Sequence, residues 1–403
     1  MTDEVAAGAP ADDRKARRNV LVLAASSALG ASAGPITFVA AALASLEMLG
    51  DDKSLATLPA SVFVVGTACG TVPAALLMRR VGRRAGFIAG LMVSAIGSLL
   101  SAAAVALSDF ALLVLGTFLV GFSNAFLQQF RFAAADMASD AFRPRAISLV
   151  MAAGVVTAVL GPQTVIHTAD LFQSPFVGAF LGGAVLSLLG AVALLPLDIP
   201  RVKIEAGRAS GRPLGTIVRQ PSFLIALACA TSSFAVMSFI MTAAPIAMVM
   251  HHHHRDDAVL GIQWHVLAMF APSFFTGSLI SRFGSERIVV AGLGLLIACA
   301  LTGLAGVSVG HFWLALILLG IGWNFGFIGA TTLVTETYRP EEKEKVQALN
   351  DFLIFGVVAL VSFSAGEVLT TGGWDTLNII ALPVAFACLA ALFWRTSRRP
   401  RVA

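Results

Sequence analysis

The feature that most constrains this chain is an alternation: twelve apolar stretches, each long enough to cross a bilayer, separated by polar connections of which every second one is basic. Their approximate limits are 20–45, 56–78, 85–107, 110–131, 145–166, 175–197, 221–249, 258–281, 287–309, 311–335, 346–369 and 374–395. About 20 apolar residues in a helix span the hydrocarbon layer, so the expectation is an all-α integral membrane protein with twelve transmembrane helices. Only 12% of the residues are charged, against 57% hydrophobic. A soluble domain carries about 25% charged residues, which excludes a soluble enzyme.

The formal charge of +4 follows position rather than a polyanionic partner. By our count 24 of the 27 Lys and Arg fall in the two tails and in alternate loops, leaving Lys53, Arg255 and Arg131 elsewhere. That bias places both termini in the cytoplasm and leaves a nucleic-acid role without support. Residues 1–19 are polar and the first apolar stretch is long enough to be retained as a helix, so no secretory leader is expected. All four cysteines lie inside expected helices, which argues against a disulfide framework. There is no Walker-type phosphate loop, catalytic triad or metal-hydrolase motif, so neither ATP nor an enzymatic reaction is expected to drive the protein.

The basic, Gly- and Pro-punctuated stretch 198–220 divides six apolar stretches from six. The expected organisation is a cytoplasmic tail (1–19), a six-helix bundle (20–197), a linker (198–220), a second bundle (221–396) and a tail (397–403). The halves echo each other. Leu77, Arg80 and Gly82 recur as Leu279, Arg282 and Gly284 at an offset of 202, and Phe142-Arg143-Pro144 recurs as Tyr338-Arg339-Pro340 at 196. Parallel repeats of this kind build two-lobed secondary transporters. Over 19–396 the chain resembles the major facilitator superfamily, with departures: Arg79 stands where that family usually has Asp, Ala75 where it has Gly, Ser281 at the second acidic position, and Thr117 where an Arg is common.

Ten of the eighteen Met and His residues fall between Met237 and Met269. Met237 and Met241 share one face of the seventh stretch, as do His265 and Met269 on the eighth. Counting inward from Met250 and Ala258 at 1.5 Å per residue puts Met241 about 13 Å and His265 about 10 Å deep, with Met237 about 20 Å and Met269 about 16 Å deep. Thioether and imidazole suit a soft cation such as Cu(I). The segments "RFAAAD" (131–136), "HVLAMFAPSFFTG" (265–277), "GIGWNFGFIGATTL" (320–333) and "YRPEEKEKVQALNDF" (338–352) make the chain resemble the CcoA-type copper importers of bacterial inner membranes. That family's M-x-x-x-M and H-x-x-x-M motifs fall on these four residues.

The resemblance implies an inner-membrane importer with copper as transported substrate, no resident cofactor, and supply of copper-delivery proteins for a cytochrome oxidase. The protein is expected to act as a monomer. Met248, Met250, His251, His252, His253 and His254 then become a capture site at the mouth, and Cys229 an exit ligand. Arg131, Asp136, Arg143, Glu336 and Arg339 are candidates for gating pairs between the lobes, and Asp351 and Glu367 for proton coupling. Two other readings stand beside this one. One is a carrier of an organic solute such as riboflavin, using cavity residues such as Trp323, Asn324 and Gln128. The other is a membrane metal sensor that moves no cargo.

Overall fold

The computed structural model describes residues 13–50, 53, 55–139, 142–199, 211–339 and 342–397, and among them regular structure is helical, with no strand. Lipid explains this, because in hydrocarbon each backbone N–H and C=O must be paired inside its own segment. Large apolar side chains cover the outside as well as the core: Val72, Leu360, Phe352 and Phe393 are more than 60% exposed. Such faces suit acyl chains, whereas water-soluble monomers rarely carry wide apolar patches. This is a multi-pass membrane protein.

The first half of the chain holds α1 (Asp13–Gly30), α2 (Ala33–Met48), α3 (Leu58–Val81), α4 (Arg83–Leu107), α5 (Phe110–Leu127), α6 (Phe130–Met137), α7 (Arg143–Thr168) and α8 (Val177–Ala193). The second half holds α9 (Leu214–Val218), α10 (Pro221–Met250), α11 (Arg255–Phe270), α12 (Ser273–Phe283), α13 (Ser285–Ala305), α14 (Val309–Thr335) and α15 (Lys343–Ser397). Among the described residues nine helical segments are long and apolar enough to cross a membrane; α1 with α2 is one and α5 with α6 another. Helix α8, with 17 residues, falls just short of that length. The 55 residues of α15 contain one non-helical residue, Gly373 (φ 74°, ψ −177°), which bends the run near its middle.

Helix ends follow local chemistry. Asp109 caps α5 by accepting from the Leu112 N–H at 3.0 Å, and Ser308 caps α14 by accepting from His311 at 3.4 Å. The connection between α13 and α14 is as short as the sequence requires. One element departs from expectation. The stretch 258–281 is not one straight span but α11 and α12, bent by 42°. Pro272 has no N–H to continue the ladder, and Asn324 of α14 brackets the break. Its Nδ2 donates to the Met269 carbonyl and to Ser273 Oγ, both at 2.7 Å, while its Oδ1 accepts from Thr276 Oγ1 at 2.6 Å.

Each half packs one helix pair backbone to backbone. A Cβ added at Gly97 of α4 would lie 2.7 Å from the Gly116 carbonyl of α5, and one at Gly292 of α13 would lie 2.3 Å from the Gly326 nitrogen of α14. Small residues permit this approach where helices gain little from hydrophobicity alone. The two halves meet through α7 with α11, α3 with α15, and α2 with α10 and α11.

The bonds that join the halves gather toward the end remote from the basic loops. Gln163 donates to Gln263 at 2.8 Å, and Ser61 donates to Ser362 at 3.4 Å, a serine that also shares a bond with Thr242 of its own half at 3.0 Å. Arg255 forms an ion pair with Asp170, and its guanidinium lies 5.8 Å from the Phe176 ring centre.

Candidate functional site

The residues expected to carry metal are all buried. Met237, Met241 and Met269 belong to the main apolar core, and His265 has no exposed surface. His265 Nδ1 lies 2.8 Å from the Leu316 carbonyl. A carbonyl only accepts, so Nδ1 carries the proton and Nε2 the lone pair; Nε2 is buried without a hydrogen-bond partner. Among the described residues no group of three or more His, Cys, Asp or Glu is placed to hold a metal ion.

The histidine run serves the turn between α10 and α11. His253 Nε2 donates to the Val307 carbonyl at 2.5 Å, His254 Nδ1 accepts from the Asp256 N–H at 3.3 Å, and the rings of His251 and His253 lean on Phe312. His251 and His252 are exposed. Met248 is fully buried, against α11 near Gly261, while Met250 is 40% exposed. Cys229 is buried beside Cys388, whose thiol donates to Ser232 at 3.1 Å. Neither cysteine is in a disulfide.

A different constellation stands between α10, α14 and α15. Trp323 and Phe327, four apart on α14, are stacked at 5.3 Å and 11°. Phe234 of α10 presents its edge to both, at 5.6 and 5.2 Å, and meets Phe355 of α15 at 5.6 Å. Edge-to-face contacts of this kind are favourable because the ring edge is positive and the face negative. Phe234, Phe327 and Phe355 are only half-buried. Two polar atoms in the group, Trp323 Nε1 and Ser233 Oγ, are buried without a hydrogen-bond partner. An indole N–H left unpaired in an apolar setting is costly. Of the other organic-solute candidates, Asn324 is fully buried and fully engaged at the α11–α12 break, and Gln128 is exposed at the end of α5.

A groove of 370 Å³ lies between α3, α4 and α5, lined by Pro73, Leu76, Arg80, Val93 and Phe126 among others, all from the first half. A cavity of 10 Å³ beside Gly30, Phe63 and Asn124 has room for about one water.

The charged candidates sort by half. Asp136 pairs with Arg83 at 2.5 Å, and Glu336 accepts from Ser285 at 3.1 Å, each within its own half. The Arg339 N–H donates to Glu342 at 2.9 Å, and Glu367 is exposed. The side chain of Arg143 lies outside the described residues. Sequence reasoning missed Glu342, whose carboxylate takes Arg212 Nε at 2.9 Å and Nη2 at 2.7 Å. Those bonds hold its carboxyl well below the usual carboxylate range. Arg131 and Asp351 come from opposite halves, near enough for each to feel the other's charge, and no ion pair joins them. Arg131 Nε is buried and unpartnered, and its guanidinium sits 4.8 Å from the Phe132 ring centre.

A family model described as Major Facilitator Superfamily matches residues 19–362 and 262–403. The chain belongs to this superfamily. Among superfamily members, the riboflavin transporter RfnT of Brucella anthropi is 48% identical over 387 residues, covering 95% of this chain and 97% of that protein. An uncharacterized MFS-type transporter of Bacillus subtilis, YdeG, is 28% identical over 400 residues, covering 95% and 93%. The fold matches the nucleoside transporter NupG (TM-score 0.72, 14% identity, 93% of this chain and 99% of that one). It also matches the E. coli fucose:proton symporter FucP (TM-score 0.62, 16% identity, 93% and 98%).

These findings correct the copper reading. A superfamily relative this similar, along nearly its whole length, is named for an organic solute. The relatives give no support to the narrower resemblance to CcoA-type importers. Copper as cargo, and copper-delivery proteins as partners, are therefore withdrawn. The physical reason for the error is that thioethers pack as readily as they ligate.

Proposed function

We propose that this protein is an alternating-access carrier of riboflavin or a close flavin analogue in a bacterial inner membrane. The observation that carries the reading is the 48% identity to a riboflavin transporter across 95% of the chain. The ring cluster of Phe234, Trp323, Phe327 and Phe355 supports it independently, because a planar heteroaromatic ring stacks on aromatic faces and offers acceptors to Trp323 Nε1 and Ser233 Oγ. We read α8 as a full crossing, α11 with α12 as one, and α15 as two divided at Gly373, which makes twelve crossings as six plus six. The basic end is then cytoplasmic. The bonds gathered at the opposite end describe a carrier closed to the outside, with its ring cluster approached from within.

The test is uptake of radiolabelled riboflavin by bacteria that neither make nor otherwise import it. Saturable uptake and growth on external riboflavin are expected when the chain is expressed. Membrane-inserted protein that gives neither overturns the reading.

A further inference from the structure

Resting on that reading, we propose that Arg131 and Asp351 together recognise the neutral polyhydroxyl arm of the flavin and select against its phosphorylated form.

The argument starts from position. Asp351 and Phe355 are four residues apart on α15, so they share a face about one turn, or 6 Å, apart. Phe355 belongs to the ring cluster. Asp351 therefore marks the next level toward the basic end, where a substituent of a ring held in the cluster would project. Arg131 occupies the corresponding level on α6, in the opposite half. It lies six residues from the basic end of α6, and Asp351 eight from that of α15, or about 9 and 12 Å along the helices.

Chemistry distinguishes this pair from its neighbours. Asp136 is taken by Arg83, Glu342 by Arg212, and Glu336 receives Ser285. Asp351 is exposed and accepts one bond, from Asn350 Nδ2 at 3.2 Å, leaving most of a carboxylate's lone pairs available. Arg131 keeps a buried Nε–H without an acceptor. The pair thus offers unused donors on one side and unused acceptors on the other. A hydroxyl both donates and accepts, so adjacent hydroxyls on a sugar-like arm can bridge the two.

Net charge supplies the selectivity. Arg131 and Asp351 sum to zero, which favours a neutral arm. A phosphate could pair with the guanidinium but would bring like charge against the Asp351 carboxylate, and repulsion of an unwanted partner is an effective way to reject it. The bridge also spans the halves, so it couples occupancy of the ring cluster to approach of α6 and α15.

The experiment is competition for labelled riboflavin uptake in proteoliposomes by three unlabelled flavins: riboflavin, lumiflavin (the ring without the arm) and riboflavin 5′-phosphate. The wild type should prefer riboflavin over each of the other two by roughly tenfold or more, the scale of a lost hydrogen bond to a charged group. Asp351→Asn should narrow the gap to the phosphate form by about tenfold. Arg131→Gln should raise KM for riboflavin while leaving lumiflavin competition unchanged, and Arg131→Lys should recover part of the loss. Retained lumiflavin competition certifies that each variant is folded.

Equal competition by all three flavins in the wild type overturns the proposal, as does a phosphate exclusion that survives Asp351→Asn. Either result leaves riboflavin transport standing. A wild type that carries no riboflavin overturns both readings together.

Discussion

At the residue scale the proposed binding site turns on Trp323. It stacks on Phe327, takes the edge of Phe234, and holds a buried N–H with no partner. Stacking of a heteroaromatic base on such a side chain is worth about 1–3 kcal/mol by alanine substitution. Trp323→Ala should therefore raise KM for riboflavin at least about fivefold. Trp323→Phe should lose less, since the ring face remains and only the donor goes. Concentration-dependent uptake at matched expression checks this; equal kinetics for wild type and Trp323→Ala would remove the ring cluster from the binding site. Trp323 could be picked from sequence as a cavity candidate. Its partners could not, because Phe234 and Phe355 lie far away along the chain and only packing of α10, α14 and α15 brings them together. The Met and His cluster misled for the converse reason. Residue type and helical spacing at Met237, Met241, His265 and Met269 are the same for a ligand ladder and for core filling, and only identity to a relative separates the two.

At the element scale, apolar length was readable and breaks were not. The stretch 258–281 is hydrophobic enough overall to read as one span, so its mean hydropathy does not report that Pro272 splits it, and the residue that steadies the split, Asn324, is supplied by α14. Asn324→Leu should leave the Met269 carbonyl and the Ser273 and Thr276 hydroxyls short of partners. Each orphaned buried group costs about 1–3 kcal/mol, so a clear fall in melting temperature in detergent is expected, and an unchanged melt would deny Asn324 that role.

The approach to α15 carries a second prediction. Glu342 is held in its charged form chiefly by Arg212. Its carboxyl is depressed in the folded protein, so the stabilisation is present in full above the unfolded carboxylate value of about 4.3 and is lost as pH falls through the lower folded value. Melts of wild type and Glu342→Gln should differ at neutral pH and converge only in acid below the unfolded value. Convergence already near neutrality would contradict the pairing.

At the scale of the whole molecule, the alternation of apolar stretches and basic loops carried the membrane class, because lipid dictates it from composition, while the resemblance to the superfamily rested on the motifs that recur between the two halves. The conformational state was not legible, since it rests on which side chains meet across halves that are distant in sequence. Those meetings are Asp170 with Arg255, Gln163 with Gln263, and Ser61 with Ser362. An exposed ion pair is worth about 0.2–1 kcal/mol, so Arg255→Gln alone should shift the balance toward opening at that end by no more than about fivefold. Adding Gln163→Ala removes a partly buried bond of about 1 kcal/mol and should shift it further.

Ser362 reports the change because it is fully buried in this state. A cysteine placed there should be labelled slowly by a membrane-impermeant maleimide added outside, faster in Arg255→Gln, and fastest in the double variant. The ordering matters more than the rates. If all three label alike, these contacts do not hold the outer end shut, and the barrier to opening must lie in the apolar packing of α7 against α11 and α3 against α15. If the ordering holds while uptake falls, the outer bonds set how often the carrier returns to face inward, which is the step a one-way flux into the cell depends on.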